Sequence, residues 1–349
     1  MPTITEQARA TPDKPAFIMG ASGEVVTFAE LDAKANQIAQ LLRASGIQTG
    51  QHIAMMLKNC REFIEVVFGC SRAGVVFTPI STHLKKEETA YIINNCNARL
   101  FIASASLADV ATEAAEHAPD LLRKFIVGGE IAGFEDWQSA VASQPSYEIS
   151  DQSLGVPMLY SSGTTGKPKG IFRAPQNTDL DAPHPLKLVG AYYGFSDATV
   201  YLSPAPLYHS APLFYNTLNM TGGGTSIIMD RFDPEQALAL IERYEVTHSQ
   251  WVPSMFIRML KLPEGIREHY DVSSMQRAIH AAAPCPIDIK RQMINWWGPV
   301  ICEYYSSTEG VGFTLIDSED WLAHPGSVGR PLTGVPKILD DEMSVLPPG

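Results

Sequence analysis

The segment Tyr160–Gly170 has the composition of a phosphate-binding loop. Its eleven residues include two serines, two threonines, three glycines and two lysines. Glycine lets backbone N–H groups approach a ligand, hydroxyls donate hydrogen bonds and lysine adds positive charge, so these residue types suit a triphosphate. The same composition also occurs in flexible turns between strands. Composition alone therefore leaves both interpretations open.

The spacing of this segment excludes the Walker A motif. Four residues after Gly163 comes Lys167, and Pro168 then stands where the motif requires its second glycine. Counting from Gly166 fails in the same way. A phosphate site here must belong to another class of nucleotide-binding protein.

The complete string is much more specific than its composition. It resembles the signature of the adenylate-forming superfamily, which includes acyl- and aryl-CoA synthetases, amino-acid adenylation domains and firefly luciferase. The resemblance implies that ATP is the cofactor and that Thr165 and Lys169 act on the reacting phosphates. The residues implied to contact the nucleotide here are Ser161, Ser162, Gly163, Thr164, Thr165, Gly166 and Lys169.

Two further blocks resemble the same family. In the first, Ala281, Ala282, Ala283 and Pro284 stand where relatives carry a Gly-Gly-Ala-Pro-like loop whose backbone faces adenine. Alanine tolerates fewer positive φ angles than glycine but leaves the backbone nearly as accessible. Taken alone this block has no value as a motif, because turns of alanine and proline are common.

The second block, Glu303–Gly310, resembles the family's Tyr-Gly-x-Thr-Glu motif, with Ser306 in place of the glycine. The resemblance implies that Tyr305 stacks on adenine, Thr308 contacts the α-phosphate and Glu309 ligates Mg²⁺. An aromatic face, a hydroxyl donor and a hard oxygen ligand suit those roles. Without the other blocks, Glu309 would be interpreted as a solvated surface carboxylate.

The segment Pro206–His209 points to the substrate. A lone histidine is more often structural than functional, but the resemblance implies that His209 borders the acyl pocket. Relatives that activate amino acids place an aspartate near this position, and none is present here. An unpaired ammonium in a buried pocket is costly. We therefore expect a fatty, aryl or alicyclic acid, bound by candidates that are mostly apolar or aromatic: His209, Leu213, Phe214, Tyr215, Trp251, Val252 and Met255.

The implied reaction needs no catalytic triad, because the substrate carboxylate is itself the nucleophile that attacks the α-phosphorus of ATP. The protein positions the reactants and stabilises the developing charge. In the CoA ligases the acyl-AMP is then attacked by the thiol of CoA. An acyl-AMP ligase that supplies a carrier protein is the rival enzyme, and a binding module without chemistry is the rival class.

The elements that must position these residues follow an α/β pattern. Short apolar runs alternate with helical segments such as the one after Thr27, where Glu30 completes a capping box. We predict two helix-covered, largely parallel sheets and the start of a smaller β sub-domain. The expected divisions are a scaffold at 1–150, a nucleotide- and acyl-binding part at 151–325 and the third sub-domain at 326–349.

Residues 173–190 depart from the family, in which the signature runs straight into a helix. The stretch is polar and rich in proline, which predicts a loop. The sequence leaves open whether this loop lines the substrate entrance or lies on the surface. Farther along, Gly222–Gly224 predicts a tight turn, because its spacing does not match a nucleotide-binding motif.

Composition narrows the class of protein. The net charge of −12 argues against a nucleic-acid surface and against adhesion to anionic membranes. Five cysteines without CxxC spacing suit reduced thiols, and no apolar run is long enough to span a bilayer. We expect a cytoplasmic protein whose partners are a carboxylic acid, ATP and CoA, with a homodimer compatible with these features.

The resemblance runs through Pro325–Pro331. Relatives continue with a Thr-Gly-Asp block, a hinge arginine and a small C-terminal domain that supplies a lysine for adenylation. None of these follows here. We therefore expect the chain to correspond to the large N-terminal domain, to bind its ligands and to show weak or absent turnover.

Overall fold

The computed structural model describes residues 3–161 and 168–347. These divide into two compact units, Met1–Arg231, here the N-terminal unit, and Phe232–Gly349, here the C-terminal unit. No helix in the described part of the chain is both long and apolar enough to cross a bilayer. The sub-domain boundaries expected near residues 150 and 325 stay a prediction.

The N-terminal unit alternates helices and strands. Its helices are α1 (Ile4–Ala10), α2 (Phe28–Ala44), α3 (Arg61–Arg72), α4 (Lys86–Asn95), α5 (Ala108–Glu116), α6 (Trp137–Ala142), α7 (Lys187–Tyr193) and α8 (Ser210–Thr221), with a 3-10 turn at Ala105–Leu107. Its strands are β1 (Pro15–Met19), β2 (Val25–Thr27), β3 (His52–Met56), β4 (Val76–Pro79), β5 (Ala98–Ser104), β6 (Arg123–Val127), β7 (Glu135–Asp136), β8 (Leu159–Ser161), β9 (Lys169–Ile171), β10 (Val200–Ser203) and β11 (Thr225–Ile228).

Five of these strands form a parallel sheet in the order β4-β3-β5-β6-β7. Strands β3 and β5 are apolar and almost completely buried, as expected for a parallel sheet covered on both faces. Pro79 ends β4, an edge strand, and this position suits proline because proline has no N–H to donate to the sheet. In the same unit β11 pairs in parallel with β10 and β1, and β2 pairs antiparallel with β1.

Local sequence signals explain several helix boundaries. The predicted capping box at the start of α2 is present: Thr27 Oγ1 accepts from the Glu30 N–H at 3.2 Å, and Glu30 Oε2 accepts from the Thr27 N–H at 2.9 Å. The helix then buries Leu31, Ala35 and Ile38 against the core and ends before Gly46. At the start of α9, Asp233 Oδ1 caps the helix by accepting from the Gln236 N–H at 2.9 Å.

The C-terminal unit continues the α/β pattern. Its helices are α9 (Pro234–Tyr244), α10 (Pro253–Leu260), α11 (Glu264–Arg267), α12 (Ile287–Trp297) and α13 (Ser318–Ala323), and its strands are β12 (His248–Trp251), β13 (Arg277–His280), β14 (Ile301–Ser306), β15 (Phe313–Ile316) and β16 (Arg330–Thr333). Strands β12, β13 and β14 are parallel, whereas β15 and β16 are antiparallel additions. The predicted α/β class, with parallel sheets flanked by helices, is confirmed.

Two helices, α7 and α10, have a glycine or a proline at one end. Helix α7 begins within the 173–190 stretch that was interpreted as a loop, continues to Tyr193 and ends at Gly194, which has a φ of 78°. Helix α10 begins at Pro253. Proline is well suited to the first helical position because its missing N–H would have no intrahelical partner there.

Candidate functional site

Two paired antiparallel strands contain the described ends of the glycine-rich segment. Strands β8 and β9 pair so that Ser161 lies opposite Lys169 and Tyr160 opposite Gly170. These two pairs fix the positions of Ser161 and Lys169 relative to each other. Five of the predicted contacts lie outside the described residues: Ser162, Gly163, Thr164, Thr165 and Gly166.

Close packing fixes the base of this hairpin. The Tyr160 hydroxyl donates to Asn95 Oδ1 at 2.6 Å, and burial raises the pKa of Tyr160 so that the hydroxyl stays a neutral donor. A Cβ added at Gly170 would come within 2.3 Å of the Met158 Cε atom and 3.1 Å of the Tyr160 ring. Glycine at position 170 therefore lets the tyrosine ring lie directly against the opposite strand.

The Pro206–His209 segment is held by a buried amide that sequence analysis missed. The Asn59 side chain donates to the carbonyls of Ala205 at 3.1 Å and Met229 at 2.8 Å, and its Oδ1 accepts from the Leu207 N–H at 2.8 Å. One side chain thus joins three backbone segments within the N-terminal unit. The only signal in the sequence is a polar residue three positions after the end of the apolar strand β3.

His209 occupies the N-cap position of α8, but its side chain makes no capping hydrogen bond. The ring centroid lies 4.6 Å from that of Tyr208. Desolvation by the surrounding protein lowers the pKa of His209, with a smaller contribution from His83. The ring is therefore neutral near pH 7 and able both to donate and to accept a hydrogen bond.

A cavity of about 550 Å³ lies in the N-terminal unit. Leu213 and Phe214, both predicted to contact substrate, line it from α8 together with Thr217 and Thr221. Its other walls come from the residue groups Thr3–Thr5, Val67–Phe68, Ser71–Arg72, Phe77, Leu154–Pro157, Arg173–Asn177, Leu180 and Ala182–Pro185. The stretch that departs from the family thus forms one wall of the cavity.

His184 fastens that wall to α8. The Leu186 N–H donates to His184 Nδ1 at 3.1 Å, so the proton of the neutral ring lies on Nε2, which is 3.0 Å from Thr217 Oγ1. The ring also meets Phe214 edge-on at a centroid distance of 6.1 Å. Burial lowers the pKa of His184 to about 3. The ring is therefore neutral and serves as a hydrogen-bonded support.

In the C-terminal unit the predicted adenine-facing segment follows β13. The Ala281 residue is buried, and its N–H donates to the Trp251 carbonyl at 3.3 Å. Ala282, Ala283 and Pro284 are exposed, and Ala282 has a φ of 75°. The segment therefore presents its backbone at the carboxyl end of a parallel strand, where α/β proteins bind their ligands.

The Tyr305 block follows the neighbouring strand β14. Tyr305 is 65% exposed, so its ring is available to stack on a planar ligand. The Ser306 hydroxyl donates to the Gly312 carbonyl at 2.8 Å and fixes the turn that follows. On that turn Thr308 is half-buried and Glu309 exposed, and the Gly310 N–H donates to the Ser307 carbonyl at 2.9 Å.

Of the remaining predicted substrate contacts, Val252 is half-buried and the other three are buried. Trp251 is fully buried in the C-terminal unit, where its ring packs against Phe256 and Trp297. Met255 is 7% exposed on α10, and Tyr215 packs on Tyr201 in the N-terminal unit. For Trp251 and Tyr215 these positions favour a packing role over the predicted contact with the acid.

Glu309 is the candidate metal ligand. Within residues 3–161 and 168–347, no group of three or more His, Cys, Asp or Glu side chains is arranged to hold a metal ion. Mg²⁺ commonly binds one or two carboxylates together with substrate phosphates and waters. A single exposed carboxylate beside Thr308 fits that mode of binding and does not fit an all-protein cage.

Comparison with known proteins gives one consistent family. The model of the AMP-binding enzyme family matches residues 4–349. The chain is 28% identical to the long-chain-fatty-acid–CoA ligase FadD13 of Mycobacterium tuberculosis, over 94% of this chain and 64% of that protein. It is 26% identical to the fatty acid–[acyl-carrier-protein] ligase ScoC of Streptomyces coeruleorubidus, over 99% of this chain and 66% of that protein.

The fold has the same relatives. The inhibitor-bound N-terminal domain of FACL13 from Mycobacterium tuberculosis superposes with a TM-score of 0.85 at 24% identity, covering 99% of this chain and 86% of that one. The predicted resemblance to the large N-terminal domain of the adenylate-forming enzymes is thereby confirmed at the level of fold and family.

Proposed function

Because the chain belongs to the AMP-binding enzyme family, we propose that it takes part in the ATP-dependent activation of a hydrophobic carboxylic acid. The acid would first become an acyl-AMP and then a thioester of CoA. The chain spans 64% of the length of FadD13. The activity of a whole protein is therefore inferred here for the part that holds the nucleotide and the acid.

The cavity in the N-terminal unit is the observation that favours an apolar acid over an amino acid as the substrate. It is lined by Phe77, Leu213 and Phe214, among other apolar residues. Its lining, as far as the chain is described, contains Arg72 and Arg173 but no aspartate or glutamate. An α-ammonium group would lose its hydration there without gaining a counter-charge, whereas a hydrocarbon body gains from burial.

The nucleotide roles follow the motif residues. Tyr305 would stack on adenine, and the backbone of Ala281–Pro284 would lie along the base. Thr308 would donate to the α-phosphate. The phosphates would be bound by the segment from Ser161 to Lys169, including Thr165, whose hydroxyls, N–H groups and positive charges match them. The exposure of Tyr305 and of Ala282–Pro284 supports the first two roles.

Magnesium would be held by Glu309 together with the phosphates of ATP. When bound, it neutralises charge on the phosphates and on the departing pyrophosphate. The exposed position of the Glu309 carboxylate supports this assignment.

The proposed reaction has two balanced steps. A carboxylate oxygen forms a bond to the α-phosphorus while the bond to pyrophosphate breaks. The thiolate of CoA then forms a bond to the acyl carbon while AMP leaves. The chain's own residues bind and orient the reactants, and His209, as a neutral ring, would border the carboxylate. A carrier-protein thiol could replace CoA as the acceptor, as the name of the relative ScoC indicates for that protein.

A cytoplasmic location and a homodimeric state of the protein remain predictions.

Substitution of the proposed magnesium ligand tests this function. Radiolabelled ATP and a panel of hydrophobic acids are mixed with the chain, and acyl-AMP formed in a single turnover is quantified. Glu309→Gln is expected to lower its formation about 100-fold, because a lost metal contact removes charge stabilisation. Glu319→Gln, which neutralises an exposed carboxylate on α13, is the matched control and should change little. Equal rates for both variants would contradict the assignment, and such an outcome would favour a binding module.

A further inference from the structure

Three ionisable side chains meet inside the C-terminal unit. Lys290 Nζ lies 2.6 Å from Glu303 Oε2, and His280 Nε2 lies 3.5 Å from the same oxygen. The Lys290 and His280 side chains are fully buried, and that of Glu303 is 9% exposed. The Lys290 ammonium also lies 4.7 Å from the centre of the Trp321 ring. We call these three residues, His280, Lys290 and Glu303, the buried charge cluster.

The buried charge cluster has one member on each side of the adenine-facing segment. His280 directly precedes Ala281, and Lys290 lies on α12, which begins three residues after Pro284. His280 therefore lies at the start of this short loop and Lys290 lies beyond its end, and both side chains contact Glu303. The loop is thus tied to a neighbouring strand at its start and at its end.

Glu303 connects this loop to Tyr305. Strands β13 and β14 pair so that His280 lies opposite Glu303. Side chains two residues apart on a strand share one face of the sheet, so Glu303 and Tyr305 project to the same side. Helix α12 covers Glu303 on that face, whereas Tyr305 remains exposed.

We propose that Glu303 is a positioning residue for the nucleotide. Through its bond to Lys290 and its contact with His280, it fixes the distance between the Ala281–Pro284 loop and the Tyr305 ring, so that an adenine base is bound between them. This inference rests on the proposed function. Glu303 touches no ligand in this arrangement and acts only through the elements it joins. A directional, charge-assisted bond fixes two elements more tightly than apolar packing alone, because it is short and has a defined geometry.

Measurement of AMP binding by calorimetry, together with hydrogen–deuterium exchange, tests the inference on the intact chain. Glu303→Gln keeps the shape of the side chain and removes its charge. We expect its affinity for AMP to fall about tenfold or more, with faster exchange in residues 281–286 and 304–309, because Lys290 loses its counter-charge. Asp288→Asn neutralises an exposed carboxylate on α12, the helix that carries Lys290. This variant is the matched control and should behave as the unsubstituted chain.

A second variant separates positioning from stability. The double substitution Lys290→Met with Glu303→Leu removes both charges, and such apolar replacements commonly preserve the stability of the fold. We expect this variant to melt near the temperature of the unsubstituted chain while its AMP affinity remains about tenfold lower. It also carries the test if Glu303→Gln fails to fold.

Three results would overturn the inference: unchanged AMP affinity in Glu303→Gln, unchanged exchange in both segments, or a double variant that recovers both stability and affinity. If the unsubstituted chain itself fails to bind AMP, the proposed function is wrong. Exchange in the two segments then decides separately whether Glu303 fixes the loop.

Discussion

At the scale of single residues, Ala282 has an unusual backbone conformation within the segment proposed to face adenine. Its φ of 75° lies in the left-handed region, which costs a residue with a Cβ roughly 1–2 kcal/mol. The resembling family has glycine in this block, where the same φ is free of strain. Alanine at position 282 therefore carries a cost in stability that glycine would not.

Replacement of Ala282 by glycine should stabilise the fold. Relief of the positive φ outweighs the added freedom of glycine in the unfolded chain, so we expect the free energy of unfolding to rise by about 0.5–1 kcal/mol. Ala283→Gly is the control, because Ala283 has no positive φ and is equally exposed. That variant should lose about 0.5–1 kcal/mol in urea denaturation. A loss of stability in both variants would show that Ala282 is not strained.

At the scale of elements, the polar stretch 173–185 is joined to α8 by His184. The ring accepts from the Leu186 N–H and contacts Thr217 through Nε2. Both contacts suit the neutral ring, and protonation of Nδ1 would break the first of them. The attachment of the 173–185 stretch to α8 therefore depends on the neutral state of His184.

The pH dependence of stability should report on this link. The pKa of His184 falls from 6.5 to about 3 in the folded chain because of burial. The unfolded chain therefore takes up more protons below the ordinary pKa, and stability falls as the pH drops through that range. Between about pH 7 and pH 5 we expect His184 to account for a loss of about 1–2 kcal/mol.

Comparison of variants separates the contribution of His184 to the pH dependence of stability from that of the buried His280. In urea denaturation at several pH values, His184→Asn should show a shallower loss of stability in acid. Asparagine can still accept a bond from the Leu186 N–H but does not titrate. His83→Asn alters an exposed histidine and should keep the original slope. Identical slopes in all three proteins would contradict the role given to His184.

Sequence signals predicted the elements that depend on local chemistry. The capping residues Thr27 and Asp233 specify helix starts through bonds made within three residues, and Pro79 marks a strand edge through its missing donor. Helix α7 was missed because the polar, proline-rich residues before it dominated the local composition. The family motifs identified the exposed Tyr305 block because its order is specific.

Other parts of the candidate site could not be predicted because they depend on contacts distant in sequence. Asn59 bonds to Ala205, Leu207 and Met229, which lie 146, 148 and 170 residues farther along. Lys290 and Glu303 carry no periodic signal that would place them inside the core. The cavity likewise requires five separate segments of chain to come together, and no local pattern records this.

At the scale of the whole molecule, the net charge of −12 opposes the approach of ATP and of a carboxylate. Binding must therefore come from local groups. Ser161 and Lys169 pair across two strands, Tyr305 offers an exposed ring, and the lining of the cavity is free of carboxylates as far as the chain is described. The proposed function assigns the phosphates, the base and the acyl group to these three sets of residues.

Binding of a stable acyl-adenylate analogue, in which a sulfamate replaces the phosphate, tests this central claim most directly. Calorimetry on the chain should show an analogue with a long or ring-containing acyl group binding about 100-fold more tightly than AMP, because apolar surface is buried as well as the nucleotide. An aminoacyl analogue should bind no more tightly than AMP. The account is contradicted if the apolar acyl group adds no affinity, or if the analogue with an α-ammonium group binds best.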